Sequence, residues 1–403
     1  MSATETKGDW LVAWDPEDES KWDKKLAWNT LTVSTFTLTL CFVAWFLPSA
    51  IVPKLNALGF EFTKAQLYWL AAMPGLSGGI LRLVWMVLPP KIGTRKLVTL
   101  TTLLLILPVL GWGFEVTNPD VPYWRLMGLS FLGSQTMAIA GKDPVVVWYQ
   151  NSALVYIPFI IVGAIWAYIV LKSVPVKASI KQQFDIFSNQ DTWWMTILYI
   201  MTFGTFSGLS AQFGLLMVNL YGSGNPDIVE GTGATATLLV EGYSVPDPVK
   251  FVFLGPLIGA GARVAFSPLT DRMGGAVWTL VSGIGILGAI LYTIPGLTPD
   301  TSSAAALQGG FNQFLWGMLA IFLFSGIGNA STFKQMPMIF ERRQAGGVIG
   351  WTGAIAAFGP FLFGVGLTMM SPTAFYTIGA VWAVMCIAIT WWRYARPGAP
   401  KKS

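Results

Sequence analysis

Long apolar runs separated by short polar stretches dominate the chain. They occupy residues 33–52, 66–88, 97–114, 153–171, 193–217, 251–269, 276–294, 313–335, 346–369 and 373–392. Crossing about 30 Å of hydrocarbon takes roughly 20 helical residues, so these runs predict about ten membrane-spanning helices. A further piece, residues 123–140 (YWRLMGLSFLGSQTMAIA), is shorter and is interrupted at Gly133-Ser134-Gln135. The fold class expected is an all-α polytopic membrane protein, because a helix satisfies its own backbone polar groups inside a span.

Basic residues decide whether the short piece crosses, since cytoplasmic loops carry the excess of lysine and arginine. If it does not cross and the N-terminus is cytoplasmic, the clusters at Lys21–Lys25, Lys91–Lys96, Lys172–Lys181, Arg342–Arg343 and Arg393–Lys402 all fall inside. Only Lys54, Lys64, Arg125, Lys142 and Lys250 then fall outside. A crossing would flip every later basic loop outward. Residues 123–140 are therefore expected to be re-entrant or interfacial, with both termini cytoplasmic. The leader, residues 1–30, contains WDPEDESKWDKK and lacks the basic n-region, apolar h-region and small-residue cleavage site of a signal peptide.

Composition narrows the chemistry. With 54% hydrophobic and 11% charged residues, and 19 tryptophans, the chain is far more apolar than a soluble domain. The net charge of +5 is spread over short loops, where it sets orientation and implies no nucleic-acid partner. The chain has no histidine, and its two cysteines, Cys41 and Cys386, fall inside expected spans as packing residues. No metal site, cofactor or enzymatic constellation is expected: there is no ligand cluster, no Ser-His-Asp set and no phosphate-binding glycine loop followed by lysine.

Two arginines stand inside the apolar runs. Arg82 follows Gly78 by four residues in PGLSGGILR, and Arg263 follows Gly259 by four in GPLIGAGAR, each run opened by a proline, Pro74 or Pro256. An arginine at the centre of a span costs roughly 2.5–3.5 kcal/mol on insertion scales. All 20 acidic residues lie outside the spans or at their ends, so no internal carboxylate is expected to pair with either arginine. A bound anion, backbone carbonyls or tyrosine hydroxyls remain as partners; the alternative is that each arginine caps a helix or snorkels to an interface. The repetition on the second span of each half fits halves related by an axis along the membrane normal.

Several stretches, in order, resemble the nitrate/nitrite porters of the major facilitator superfamily. FLPSAIVPKLNALGFEFTKAQLYWLAAMPGLSGGILR (46–82) is similar to the family's first two helices, YIMTFGTFSGLSAQF (199–213) to its seventh, and GPLIGAGAR with SPLTDRMGG (255–275) to its eighth. SGIGNASTFKQMP and GGVIGWTGAIAAFGPFLF (325–363) resemble the tenth helix and the nitrate signature on the eleventh. The resemblance implies a major-facilitator-like two-half helix bundle that carries nitrate and nitrite through a cytoplasmic, inner membrane, with the lipid bilayer its only other partner and a monomer as its state. Its organisation would be a leader (1–30), a shortened N-terminal bundle (31–172), a cytoplasmic linker (173–192), a C-terminal six-helix bundle (193–394) and a cytoplasmic tail (395–403). The sequence departs from the family's pattern in lacking most of the fourth helix and all of the fifth. The loop PPKIGTRK also lacks the superfamily's aspartate, whereas its counterpart, Asp271-Arg272, is present.

By the same resemblance, Arg82 and Arg263 bind a planar monovalent anion, which suits a guanidinium with several donors in one plane. Tyr199 and Phe203 are four apart and share a helix face, where they either flank the anion or pack in the bundle. Gly350, Gly353 and Gly359 permit close helix contact or sliding, Thr352 is a candidate direct ligand, and Asn329 is expected to bond between helices. No carboxylate or histidine is expected in the pathway, so nitrate/nitrite exchange is favoured over proton symport. Two other readings stay open: a truncated relative that no longer transports, and a carrier of another small anion.

Overall fold

The computed structural model describes residues 6–11, 22–56, 59–115, 120–131, 155–174, 184–231, 236–401 and 403. Among these, nine helices are long and apolar enough to cross a membrane, and Tyr156–Val170 is a shorter apolar helix. Each of the ten expected runs coincides with one of them. The re-entrant piece is helical over Tyr123–Phe131, and residues 132–140 lie outside the described residues. The chain divides into two compact units, one of Met1–Pro48 with Ile80–Gln183, the other of Ser49–Gly79 with Phe184–Ser403.

The first unit holds α1 (Lys24–Ile51, to Pro48), the end of α2 (Lys64–Val87), α3 (Thr94–Leu104), α4 (Ile106–Glu115), α5 (Tyr123–Phe131) and α6 (Tyr156–Val170). Among its described residues the core includes Val33 with Ala167 and Leu171, and Leu40 with Val109 and Ile160. Gly163 lets α1 come close, since a Cβ there would stand 3.1 Å from both Phe36 and Leu40. A small hairpin, Thr6–Lys7 paired with Trp10–Leu11, docks on the chain after α6: Ser173 N–H donates to Asp9 O at 2.8 Å and Leu11 N–H to Ser173 O at 3.0 Å.

The second unit holds the start of α2, then α7 (Gln190–Tyr199), which runs through a π turn (Ile200–Gly204) into α8 (Thr205–Tyr221). After these come α9 (Leu254–Met273), α10 (Gly275–Thr293), α11 (Ala304–Ile339), α12 (Arg342–Ala356), α13 (Gly359–Met369) and α14 (Pro372–Thr390). The run expected as one helix over 346–369 breaks after Ala356, and α8 extends to Tyr221, past the expected end of its run at 217 and into the loop that follows. That loop is tied down by Lys54, whose Nζ meets Asp247 Oδ1 at 2.9 Å, and by Tyr243, whose hydroxyl donates to Tyr221 O at 3.1 Å.

α7 begins where its sequence says a helix should. Asn189 accepts from Asp191 N–H at 3.0 Å and satisfies one of the donors that a helix start leaves open. Asp191 is itself 1% exposed and takes three donors: Arg393 Nε at 2.9 Å, Arg393 Nη2 at 3.1 Å and the Tyr394 hydroxyl at 2.9 Å. A buried carboxylate is tolerated on these terms, paired and fully hydrogen-bonded.

Candidate functional site

The irregular turn in the middle of the α7–α8 span organises the site. Tyr199 closes α7 and Phe203 lies within the π turn, a rare backbone form that recurs at functional positions. Their rings stack with centroids 5.4 Å apart and 13° between planes, and both side chains are buried. Phe206 extends the stack from Phe203 at 6.4 Å and meets Phe322 of α11 edge-on.

α11 supplies the polar face opposite. Tyr199 Oη donates to Asn329 Oδ1 at 3.0 Å, the interhelical bond expected of that asparagine, and Thr202 and Thr332 hydroxyls lie 3.1 Å apart. Below them Thr279 of α10 bonds Ser331 at 2.8 Å. Each of these groups is buried, and an unmade bond there would cost the full desolvation of the group, about 1–3 kcal/mol. The seam therefore sets the register of three helices at once.

Arg263 reaches this cluster through a ring that sequence reasoning missed. Its guanidinium carbon lies 5.6 Å from the centroid of Phe333, whose ring is 6.2 Å from that of Tyr199. α9 is carried close to α11 by glycines: a Cβ at Gly259 would stand 2.6 Å from the Phe206 ring, and one at Gly326 would run into the Gly259 carbonyl. This crossing lies one turn before Arg263. A cation over an aromatic face gains about 0.5–2 kcal/mol, less than the roughly 2.5–3.5 kcal/mol of placing the arginine at membrane depth. The ring orients the charge and offsets only part of its cost.

Arg82 belongs to the first unit, where its guanidinium carbon lies 5.1 Å from the centroid of the Trp45 ring of α1. It is half-buried, as is Arg263. Each arginine thus has an indole or phenyl face beside it. The α2 glycines that allow close approach are Gly75 and Gly79, in the second unit, where a Cβ would collide with Pro360 or with the Phe358 ring.

The signature glycines part company. A Cβ at Gly359 would run into the Gly204 carbonyl and lie 2.6 Å from Ser207 Oγ, so the start of α13 packs directly on the π turn. A Cβ at Gly353 would meet nothing within 4 Å, and Gly350 is half-buried. The Thr352 hydroxyl is buried and donates to Val348 O of its own helix at 2.8 Å. The second unit therefore gathers Tyr199, Phe203, Asn329, Phe333 and Arg263, with Gly359 behind the turn. The signal for Phe333 lay in the run NASTFKQ, which puts it four residues after Asn329 on the same helix face.

No family model matches the chain. It is 43% identical, over 461 aligned positions and 98% of both chains, to the probable nitrate/nitrite antiporter NarK2 of Thermus thermophilus. It is 28% identical, over 475 positions and 96% of both, to the nitrate/nitrite transporter NarU of Salmonella typhimurium. Both alignments are longer than the 403 residues of this chain, so each holds tens of positions that face gaps in it. Among solved structures, a bacterial homologue of the human lysosomal transporter Spinster superposes with a TM-score of 0.57 at 11% identity, covering 92% of this chain and 97% of that one. The human organic anion transporter MFSD10 gives 0.54 at 14% identity, covering 90% and 99%. These two likenesses concern the fold.

Proposed function

Because this chain belongs to the nitrate/nitrite transporter family of the major facilitator superfamily, we propose that it exchanges nitrate for nitrite across the inner membrane, around Arg82 and Arg263. The observation that carries this reading is the Arg263 cluster: a guanidinium at membrane depth, flanked by Phe333 and the stacked Tyr199–Phe203 pair, with Asn329 orienting the tyrosine. A planar, weakly hydrated anion meets coplanar N–H donors at such an arginine and apolar ring faces to either side, which exclude the water that would compete for it.

The coupling follows from charge. An empty carrier holds two positive side chains inside its spans, and a monovalent anion offsets part of that charge. Reorientation is then easy only with an anion bound, which makes the cycle an obligate exchange. The carrier acts as a monomer with both termini cytoplasmic, a shortened N-terminal bundle (31–172) and a C-terminal six-helix bundle (193–394). Gly350 and Gly353 of α12 and Gly359 of α13 allow close helix contact or sliding during the movement, and Thr352 is a candidate direct ligand whose hydroxyl otherwise bonds back to Val348 O.

One observation favours a second reading. The alignments to both relatives hold tens of positions this chain lacks, consistent with loss of most of the fourth helix and all of the fifth. A chain without that wall of the pathway has the family's fold and no transport. Nitrate/nitrite counterflow in liposomes holding the purified chain, beside Arg82→Lys and Arg263→Lys, separates the two. Under the exchange reading the wild type exchanges, and each lysine variant loses about 10- to 100-fold, the worth of one charge-assisted hydrogen bond at 1.5–3 kcal/mol. Uptake that needs no counter-anion and follows a proton gradient would refute exchange. A folded but inert wild type leaves the second reading standing.

A further inference from the structure

We propose that the second unit binds a lipid acyl chain in an apolar cavity of about 350 Å³ behind the π turn. Its walls come from the turn itself (Ile200, Gly204), the start of α13 (Gly359, Phe363) and one face of α14 (Gly379, Trp382). Ile286 of α10 and Ile321 of α11 close the back. All these residues lie near the middle of their spans or well within them, so the cavity sits at the depth of lipid tails, away from headgroups.

The lining chooses the occupant. No charged side chain is present; of the two hydroxyls there, that of Tyr376 is buried and turned toward Met318 Sδ at 3.3 Å, and Thr205 is half-buried. Apolar cavities stay dry: one of about 150 Å³ in a protein core excludes water and takes up benzene or xenon. A space more than twice that size invites an apolar guest. Its rim residues Leu362 and Ile378 are 52% and 56% exposed, so the cavity is continuous with the outer apolar face of α13 and α14, which the bilayer covers. Acyl chains are the apolar molecules that surround that face. An occupant would press on Ile200 and Gly204, the residues that follow Tyr199, and so brace the turn that carries the candidate anion site.

A phospholipid bearing a photoreactive diazirine near the middle of one acyl chain tests this in liposomes containing the full chain. Crosslinks in the wild type should concentrate on 359–363 and 375–383, above the level on the α9 face at Leu257 and Val264, which are 61% and 74% exposed and do not line this cavity. Gly379→Leu fills the space from α14, where a Cβ meets only Ile290 Cδ1 at 3.7 Å, and should abolish the excess while leaving α9 labelling unchanged. Ala383→Leu does the same from the next turn. Even labelling of all lipid-facing helices in the wild type overturns the proposal without recourse to any variant. An excess that persists in filled variants with wild-type elution and thermal unfolding overturns it as well.

Discussion

The two units hold the charges at their helix ends in different ways. In the first, the basic loop after α2 carries no acid of its own, and the carboxylate comes from the N-terminal hairpin: Asp9 accepts from Arg95 Nη1 at 2.6 Å and stands 3.6 Å from Lys96 Nζ. Arg95 also donates to the Tyr168 carbonyl and lies over that ring at 4.2 Å. In the second, Asp271 at the end of α9 meets Lys334 of α11, its own neighbour in the helix pair. Deeper in that unit Asp191 is fully enclosed, with Arg393 and Tyr394 supplied by the far end of the chain. The difference teaches that a missing acid in a loop is no missing interaction. A chain can supply the carboxylate from a remote segment, at the rim where water shares the load or in the interior where it does not.

The strongest way to break this contrast is Asp191→Ala. Removing one partner of a buried ion pair strands the other and costs about 3–5 kcal/mol. Thermal unfolding in detergent should show a large loss of stability; an unchanged midpoint would mean that the Arg393–Asp191 pair is as dispensable as a surface one.

Next comes Tyr199→Phe, which keeps the stack with Phe203 and leaves Asn329 Oδ1 without its donor at 2% exposure. A loss of about 1–3 kcal/mol in stability is expected. If exchange falls by more than the fold is weakened, the hydroxyl also faces the anion.

Asp9→Ala and Asp271→Ala compare the two rims directly. Arg95 and Asp9 side chains are 15% and 23% exposed, whereas those of Lys334 and Asp271 are 36% and 55% exposed. Asp9→Ala should cost about 1 kcal/mol, near the upper end for such pairs, and Asp271→Ala only a few tenths. Equal losses would show that the borrowed carboxylate has no special standing.

The smallest effect is in pH. Arg343 Nη2 donates to Asp185 at 2.6 Å and Gln344 Nε2 at 3.1 Å, and with Arg343 the main cause the carboxyl is held below its ordinary range. A lowered folded-state value stabilises above the unfolded carboxylate pKa of about 3.9, and the benefit is lost as pH falls through the folded value. Wild type and Asp185→Asn should therefore differ slightly at pH 7, with the difference shrinking as pH falls below about 4 and through the lowered folded value.

Much of the fold was legible in the chain because a lipid-spanning helix needs a long apolar run, and all ten runs coincide with helices. Tyr199, Phe203 and Asn329 were legible as candidates by spacing and resemblance. Phe333 was missed: its place four residues after Asn329 marks the helix face they share, and nothing in the run marks the arginine it faces. Nor could spacing tell Gly359, pressed on the π turn, from Gly353, which has open space where a Cβ would go.

The sequence by itself determined that the chain lives in a membrane, roughly where its helices run and that two arginines stand inside them, since hydropathy and charge act locally and report themselves residue by residue. Only the tertiary structure decided which partners those charges meet: Arg82 with Trp45, Arg263 with Phe333, Arg95 with Asp9, Arg393 with Asp191. Side chains tens to hundreds of residues apart come together through helix crossings, and the glycines, π turn and helix break that set those crossings have no effect on hydropathy.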